Sequence, residues 1–451
     1  MTFSETNNNL VTATPSHLHS ATVLSNQEAG VQMHALMAEL FPICRSITGN
    51  GFRESLAIIA RQLPLTIHEV ASGTPVFDWI VPREWNLRDA WIKDQHGRKV
   101  IDLQNSSLHV LNYSTPIHCK LSAEELRAHL FTLPEHPDWI PYRTSYYQER
   151  WGFCLAHRDL ELLSHGEFEV CIDSTLAPGS LTYGECLLPG DTADEVLLSC
   201  HACHPSLAND NLSGVVLVTM LGRWLASIPR KYTYRLLFIP GAIGSITWLA
   251  QHEAQLDRIK HGLVVACVGD PGKFHYKQSR RGNAEIDQAA IHALSTSTEP
   301  YEIQEFTPYG YDERQYCSPG INLPVGSLNR TPHGCYPQYH TSADDLSFVT
   351  PEGLAGSLAM YQRVLGILEN NARYRNLQPK CEPQLGRRGL YRSMGGLPDA
   401  GQRELAMLWV LNLSDGEHSL LDIAQRSKIA FPLVKDVADA LVAAELLQAL
   451  N

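Results

Sequence analysis

The segment His201 to Gly214, HACHPSLANDNLSG, constrains this chain more than any other, because it sets metal-type ligands between a strand and a helix. The apolar run Val196-Leu197-Leu198 leads into it, and from Leu212 to Ile228 apolar residues recur at helical spacing. A strand that ends in His201, Cys203 and His204, then turns through Pro205 to Asp210, directs several ligand atoms into the crevice beyond the strand end. Open α/β sheets bind their ligands there. Imidazole nitrogen beside carboxylate oxygen suits zinc or a similar divalent ion.

The surrounding pattern supports such a sheet. From about 180 to 378, strand candidates at 196–200, 234–239, 263–268 and 323–328 alternate with helix candidates at 211–228, 243–256, 284–296 and 351–370. This alternation predicts a mainly parallel sheet with helices on both faces. Residues 28–72 read as a helical lead-in to the same domain, with Leu36, Leu40, Leu56, Ile59 and Leu63 at spacings a helix buries. Between 73 and 179 the character changes to short strand-like pieces (WIVP, KVIDL, LHVLNYS, FEVCIDS) among turn residues and aromatics, the pattern of an inserted β-rich domain. A Pro-, Gly- and Arg-rich stretch at 376–398 reads as a linker, and three helical stretches at 400–413, 418–427 and 431–448 make a separate module over 385–451.

Length and charge narrow the function. A chain of 451 residues is too long for one ordinary core. Its net charge of −12 argues against a nucleic-acid partner. The C-terminal module shares that balance: Arg403, Arg426, Lys428 and Lys435 face seven acids, a poor footprint for phosphate. Packing or homo-oligomer formation is the expected role. No apolar run approaches a membrane span. Residues 1–27 read as a polar, disordered leader without the basic start and apolar region of a signal peptide. Eleven cysteines without the spacing of a disulfide framework point to free thiols in a cytoplasmic protein.

Further segments accompany HACHPSLANDNLSG in order: FPICRSITG (41–49), VPREWNLRDAWIKD (81–94), LPEHPDWIPYRTSYYQERWGF (133–153), CVGDPG (267–272), DERQYCSPGINLPVGSL (312–328) and YHTSADDL (339–346). Together they resemble the aminopeptidase-like proteins of the zinc exopeptidase superfamily, with an inserted β-rich domain and a C-terminal winged helix. The resemblance implies a zinc-exopeptidase-like α/β fold and one or two zinc ions. It also implies that Asp210 bridges metal and that His340 is the far ligand. His204 is favoured slightly over His201 as the near ligand, the other standing behind it. Asp270, at the end of the strand from Leu263, adds a carboxylate at the C-terminal edge of the sheet.

One position departs from the family. Its general-base carboxylate is expected within a segment reading roughly Pro-Glu-Thr-Ile-Gly-Ser-Ile, and this chain has Gly241 where the Glu would stand. A positioned base contributes roughly 10²–10⁴-fold in rate. Asp312 and Glu313 are candidate substitutes, and Cys335 occupies a place where the pattern predicts an acid. Arg314 and Arg330 are candidate carboxylate-binding cations, since guanidinium grips carboxylate in a fork. The reading is a metal-dependent amide-bond enzyme for an aminoacyl or short peptide-like substrate, with acyl transfer as a variant. The contrasting reading is a non-catalytic protein that keeps the fold for binding or assembly.

Overall fold

The computed structural model describes residues 25–390 and 400–450. The expected leader lies outside the described residues up to residue 24, and residues 391–398 of the expected linker lie outside them as well. Helix α1 (Asn26–Leu40) begins inside the segment read as leader, because Ser25 and Glu28 form a capping box. Helix α2 (Asn50–Ala60) follows.

An eight-stranded sheet forms the centre. Its strands are β1 (Thr66–Ala71), β2 (Ser180–Leu188), β3 (Glu195–His201), β4 (Thr233–Ile239), β5 (Ile259–Val264), β6 (Phe274–Lys277), β7 (Tyr301–Gln304) and β8 (Val325–Asn329). They lie in the order β1-β2-β4-β3-β5-β8-β6-β7. The four central strands β4, β3, β5 and β8 run parallel, while β1, β2 and β6 pair antiparallel around them. Every residue of β3 and β4 is buried, as in parallel strands covered on both faces. Helices α3 (Gly214–Ala226), α4 (Ile243–His252) and α5 (Glu285–Ser295) connect strands of this sheet, and α6 (Pro351–Asn370) follows β8. Since β3 sits between β4 and β5, the connection from β3 runs to one side and the next crosses to the other, which opens a crevice at its C-terminal end.

Two local departures from the expected elements shape that crevice. The helix expected from 211 becomes regular only at Gly214, because Asp210 holds the non-helical angles φ −109°, ψ 85°. Gly214 has no room for a side chain: a Cβ there would lie 2.3 Å from the Val265 carbonyl oxygen. The strand expected to reach 268 leaves the sheet after Val264, and Cys267 turns the chain at φ 49°.

Within 73–179, the strands Lys99–Asp102, Glu84–Lys93, Glu167–Ala177 and Ile117–Ser122 form, in that order, an antiparallel sheet. At the other end, helices α7 (Ala400–Leu413), α8 (Leu420–Ser427) and α9 (Phe431–Ala443) accompany a three-stranded sheet. Its central strand is Arg373–Asn376, so this module starts ahead of the expected boundary at 385. The same pairing makes Leu447–Leu450 a strand, and α9 ends earlier than expected. The module is tied to the α/β domain. Phe431 N–H donates to His292 Nε2 (3.1 Å) and the Gln425 side chain to Gln288 (2.6 Å). Leu421 N–H donates to Asn371 Oδ1 (2.9 Å). Buried Phe431 opens α9 beside this interface. Truncation after residue 371 is therefore expected to leave an aggregation-prone α/β domain with a lower melting temperature, checked by sedimentation and thermal unfolding.

Arg235 on β4 makes a bidentate pair with Glu195 (2.6 and 2.8 Å) and a second ion pair with Glu185. Burial alone would raise the Glu185 carboxyl, but His68, Arg235 and Trp248 outweigh it and hold the carboxyl at about 2. A depressed carboxyl contributes stability above its unfolded pKa and loses it as pH falls toward the folded value. Urea midpoints are thus expected to fall between about pH 4.5 and pH 2, and Glu185→Gln should flatten that dependence.

Candidate metal centre

Three imidazoles converge on one carboxylate at the C-terminal end of β3. His201 Nε2 lies 2.7 Å from Asp210 Oδ1, and His340 Nε2 lies 3.0 Å from Oδ2. His204 Nε2 is 4.0 Å from the same oxygen. Ligand atoms of His201, His204 and Asp210 all fall within 4.8 Å of one another. Both histidines expected on β3 therefore face the centre. His340 reaches it from the loop after β8, with its backbone at φ 56°.

The turn that carries Asp210 is fixed from below by Asp344. Its carboxylate accepts the N–H groups of Asn209 (2.6 Å) and Asp210 (2.9 Å), while its carbonyl accepts Ala208 N–H (2.8 Å). Burial pushes the Asp344 carboxyl up to about 7, against the pull of those two N–H groups. Burial would also raise Asp210, but His204 and His201 hold it well below the usual carboxylate range. Burial pushes His204 well down, to the neutral form. It works in the same sense on His201, yet the contact with Asp210 prevails and raises that imidazole.

This donor set fits a zinc-like ion. Neutral imidazole nitrogen and ionised carboxylate are ligands of that class. The Asn211 amide beside His204 is compatible with it. Asn211 Oδ1 is buried without a partner, while its Nδ2 lies 2.9 Å from His204 Nδ1. Turning the amide over sets Oδ1 against Nδ1–H and leaves the Nε2 lone pair free toward Asp210. A hydrogen bond at one ring nitrogen is the usual way to fix the tautomer of a ligating histidine.

The other expected residues are distributed differently. Asp270 is buried and keeps its own bonds: its oxygens accept from Asn209 Nδ2 (3.1 Å), Gly272 N–H (2.8 Å), Thr331 N–H (3.1 Å) and Thr331 Oγ1 (2.6 Å). Four donors leave it a brace for the Asn209 turn, apart from the histidine cluster. Arg330 is buried, donates to Gly272, Gly353 and Ser357, and lies over Phe274 at 4.3 Å. That makes it a structural tie between β8 and α6. Arg314 and Cys335 are exposed.

Gly241 follows β4 directly beside the centre, where a Cβ would lie 3.1 Å from His201 Cβ. Asp312 is buried and accepts Ser245 Oγ–H (2.8 Å), and burial raises its carboxyl. Glu313 is buried against Lys277 Nζ (2.8 Å), with Oε2 unpaired. Aromatic rings wall the centre: Tyr142 lies 5.0 Å from His204, Tyr311 lies 5.3 Å from His201, and Tyr339 stacks on His340 at 3.9 Å. Sequence reasoning singled out none of Tyr142, Tyr311, Asn211 or Asp344. The first acid of YHTSADDL was the available signal for Asp344.

Asp344→Ala leaves two buried N–H groups without acceptors and is expected to cost about 3 kcal/mol. Asp344→Asn, which keeps one acceptor, should cost about half of that, and urea unfolding of both variants checks the difference.

A family model described as domain of unknown function DUF4910 matches residues 34–371, and a winged helix-turn-helix model matches residues 372–449. A Clostridium acetobutylicum protein, provisionally named as a polysaccharide biosynthesis protein with aminopeptidase-like domain, is 51% identical over 426 residues, covering 94% of this chain and 98% of that protein. A Clostridium acetobutylicum crystal structure, provisionally called a peptidase, superposes with a TM-score of 0.90 at 49% identity, covering 94% of this chain and 97% of that one. A zinc aminopeptidase from Bacillus subtilis shares the fold at a TM-score of 0.56 and 13% identity, covering 76% of this chain and 95% of its own. The chain therefore belongs to the DUF4910 family, with an aminopeptidase-like α/β domain followed by a C-terminal winged helix.

Proposed function

We propose that this protein is a zinc-dependent amide-bond enzyme acting on an aminoacyl or short peptide-like substrate, with acyl transfer to an amine as its variant. The observation that carries the reading is the convergence of His201, His204 and His340 on buried Asp210 at the crevice of an aminopeptidase-like fold. Zinc, when bound, supplies positive charge that polarises a carbonyl and acidifies water. His201, His204 and Asp210 would hold one ion, with His340 closing the site. Asp270, spent on four hydrogen bonds, favours one ion over two. Tyr142 and Tyr311 narrow the approach and exclude water.

The proton acceptor is the altered element. Gly241 removes the carboxylate that the family pattern places beside the reacting carbonyl. Glu313, through its unpaired Oε2, and Asp312 are the buried acids left to hold a proton on that side. A weakened base slows attack by water more than attack by a neutral amine, a stronger nucleophile that loses its proton after the bond to carbon has formed. This favours acyl transfer, and the relative's association with polysaccharide biosynthesis adds amino sugars to the candidate amines. Gly241 also supports a second reading, a binding protein without chemistry.

The partners in this reading are small molecules, and the acidic winged helix serves as a packing element without nucleic acid. The free cysteines support a cytoplasmic location. Among the described residues, no helix is long and apolar enough to cross a membrane.

Purified protein supplied with zinc is expected to hold about one equivalent, lost in Asp210→Ala. Gly241→Glu is expected to raise hydrolysis of an aminoacyl-amide panel by at least tenfold, provided His201 yields the few tenths of an ångström that the new Cβ needs. Fast hydrolysis by the unaltered protein would place the base at Asp312 or Glu313 instead. Zinc bound without turnover by either protein would favour the binding reading.

A further inference from the structure

Two segments singled out in the sequence, FPICRSITG and LPEHPDWIPYRTSYYQERWGF, have no part in the ligand set, yet they meet around it. Tyr142, from the insertion, packs its ring against two candidate ligands at once. Its centroid lies 5.0 Å from that of His204 and 5.1 Å from that of His340, the latter edge-on at 88°. Its N–H donates to the His340 carbonyl at 2.7 Å. The neighbouring chain is fastened in the same way: Ile140 N–H donates to Ser342 Oγ (2.9 Å) and Ser342 N–H to the Ile140 carbonyl (2.8 Å). These bonds hold His340 in the left-handed conformation at φ 56°. A non-glycine residue keeps such a conformation only where its surroundings impose it.

From the Tyr142 hydroxyl a polar belt runs back to the other ligand. Tyr142 and Tyr146 hydroxyls lie 3.0 Å apart, and Tyr146 donates on to Asn112 Oδ1 at 3.4 Å. Asn112 also accepts Ser46 Oγ–H (2.6 Å) and donates to the Arg45 carbonyl (2.9 Å). Buried Arg45 closes the belt by donating Nε–H to the His204 carbonyl at 2.9 Å. His204 and His340 arise from loops after different strands. The insertion and the 41–49 segment join them outside the sheet.

We propose that Tyr142 is a positioning residue that sets the relative orientation of His204 and His340, making the insertion a working part of the metal centre. The inference rests on the metal-binding reading above. Residues that orient ligating histidines typically contribute 10–100-fold in metal affinity.

The test uses the full chain and cobalt(II) as probe, with affinity read by chelator competition and geometry by the visible absorption of the bound ion. Tyr142→Leu removes the ring and the belt, and is expected to weaken cobalt binding by about tenfold or more and to alter the spectrum. Tyr142→Phe keeps the ring but cuts the hydroxyl link, and about a threefold loss is expected. Should the leucine variant not fold, the phenylalanine variant decides by the same readouts. Unchanged affinity and spectrum in the folded variants overturn the role of Tyr142 while leaving the metal centre standing. Unaltered protein that binds no cobalt or zinc overturns the metal centre itself, and this proposal with it.

Discussion

A carboxylate taken out of water must be answered by cations or donors, and Asp210 is answered on every side. His201 and His340 each meet one of its oxygens, and His204 stands behind. Its own backbone is pinned by Asp344. Much of the molecule follows from meeting that need. The sheet supplies a crevice by setting β4 and β5 on opposite sides of β3. Gly214 lets α3 press against the end of β5, which keeps the turn deep. Asn209 ties the turn to Asp270, and Asp270 ties it to Thr331 at the end of β8. The centre is thus suspended between three strand ends rather than carried by one loop.

How much of this was legible depends on how local each signal is. The parallel core showed itself because buried strands are apolar runs, and β3, β4 and β8 fall close to where periodicity put them. His201, His204 and Asp210 stood in one contiguous motif, and His340 in a second one, YHTSADDL. Where the reading slipped, a distant contact had displaced a local preference. The chain leaves the sheet after Val264 and turns at Cys267, and the Asp210 turn stays non-helical because Asp344, 134 residues away, takes its N–H. The last strand of the winged helix forms only because Arg373–Asn376 lies beside it. Asp270 and Arg330 look like site residues in sequence, being a turn carboxylate and a cation near the motif. Only their bonding partners, set by tertiary packing, show them to be braces.

The winged helix illustrates the gap between a fold and its use. Its acid-rich composition opposes a phosphate backbone, and the start of α9, the helix after the turn, is bonded to α5 through His292. The same separation holds at the centre of the sheet. An aminopeptidase-like fold fixes where ligands converge, but the reaction depends on the proton acceptor beside them.

Gly241 is where that dependence is sharpest. The position stands against His201, and the ordinary backbone there admits a carboxylate with a small shift. The acids that remain nearby are constrained in different ways. Asp312 is raised by burial and already accepts a hydrogen bond from Ser245. Glu313 keeps one oxygen unpaired, and its other oxygen is bound to Lys277. A neutral amine, a stronger nucleophile than water, attacks a carbonyl before it loses its proton and so asks less of a nearby base than water does.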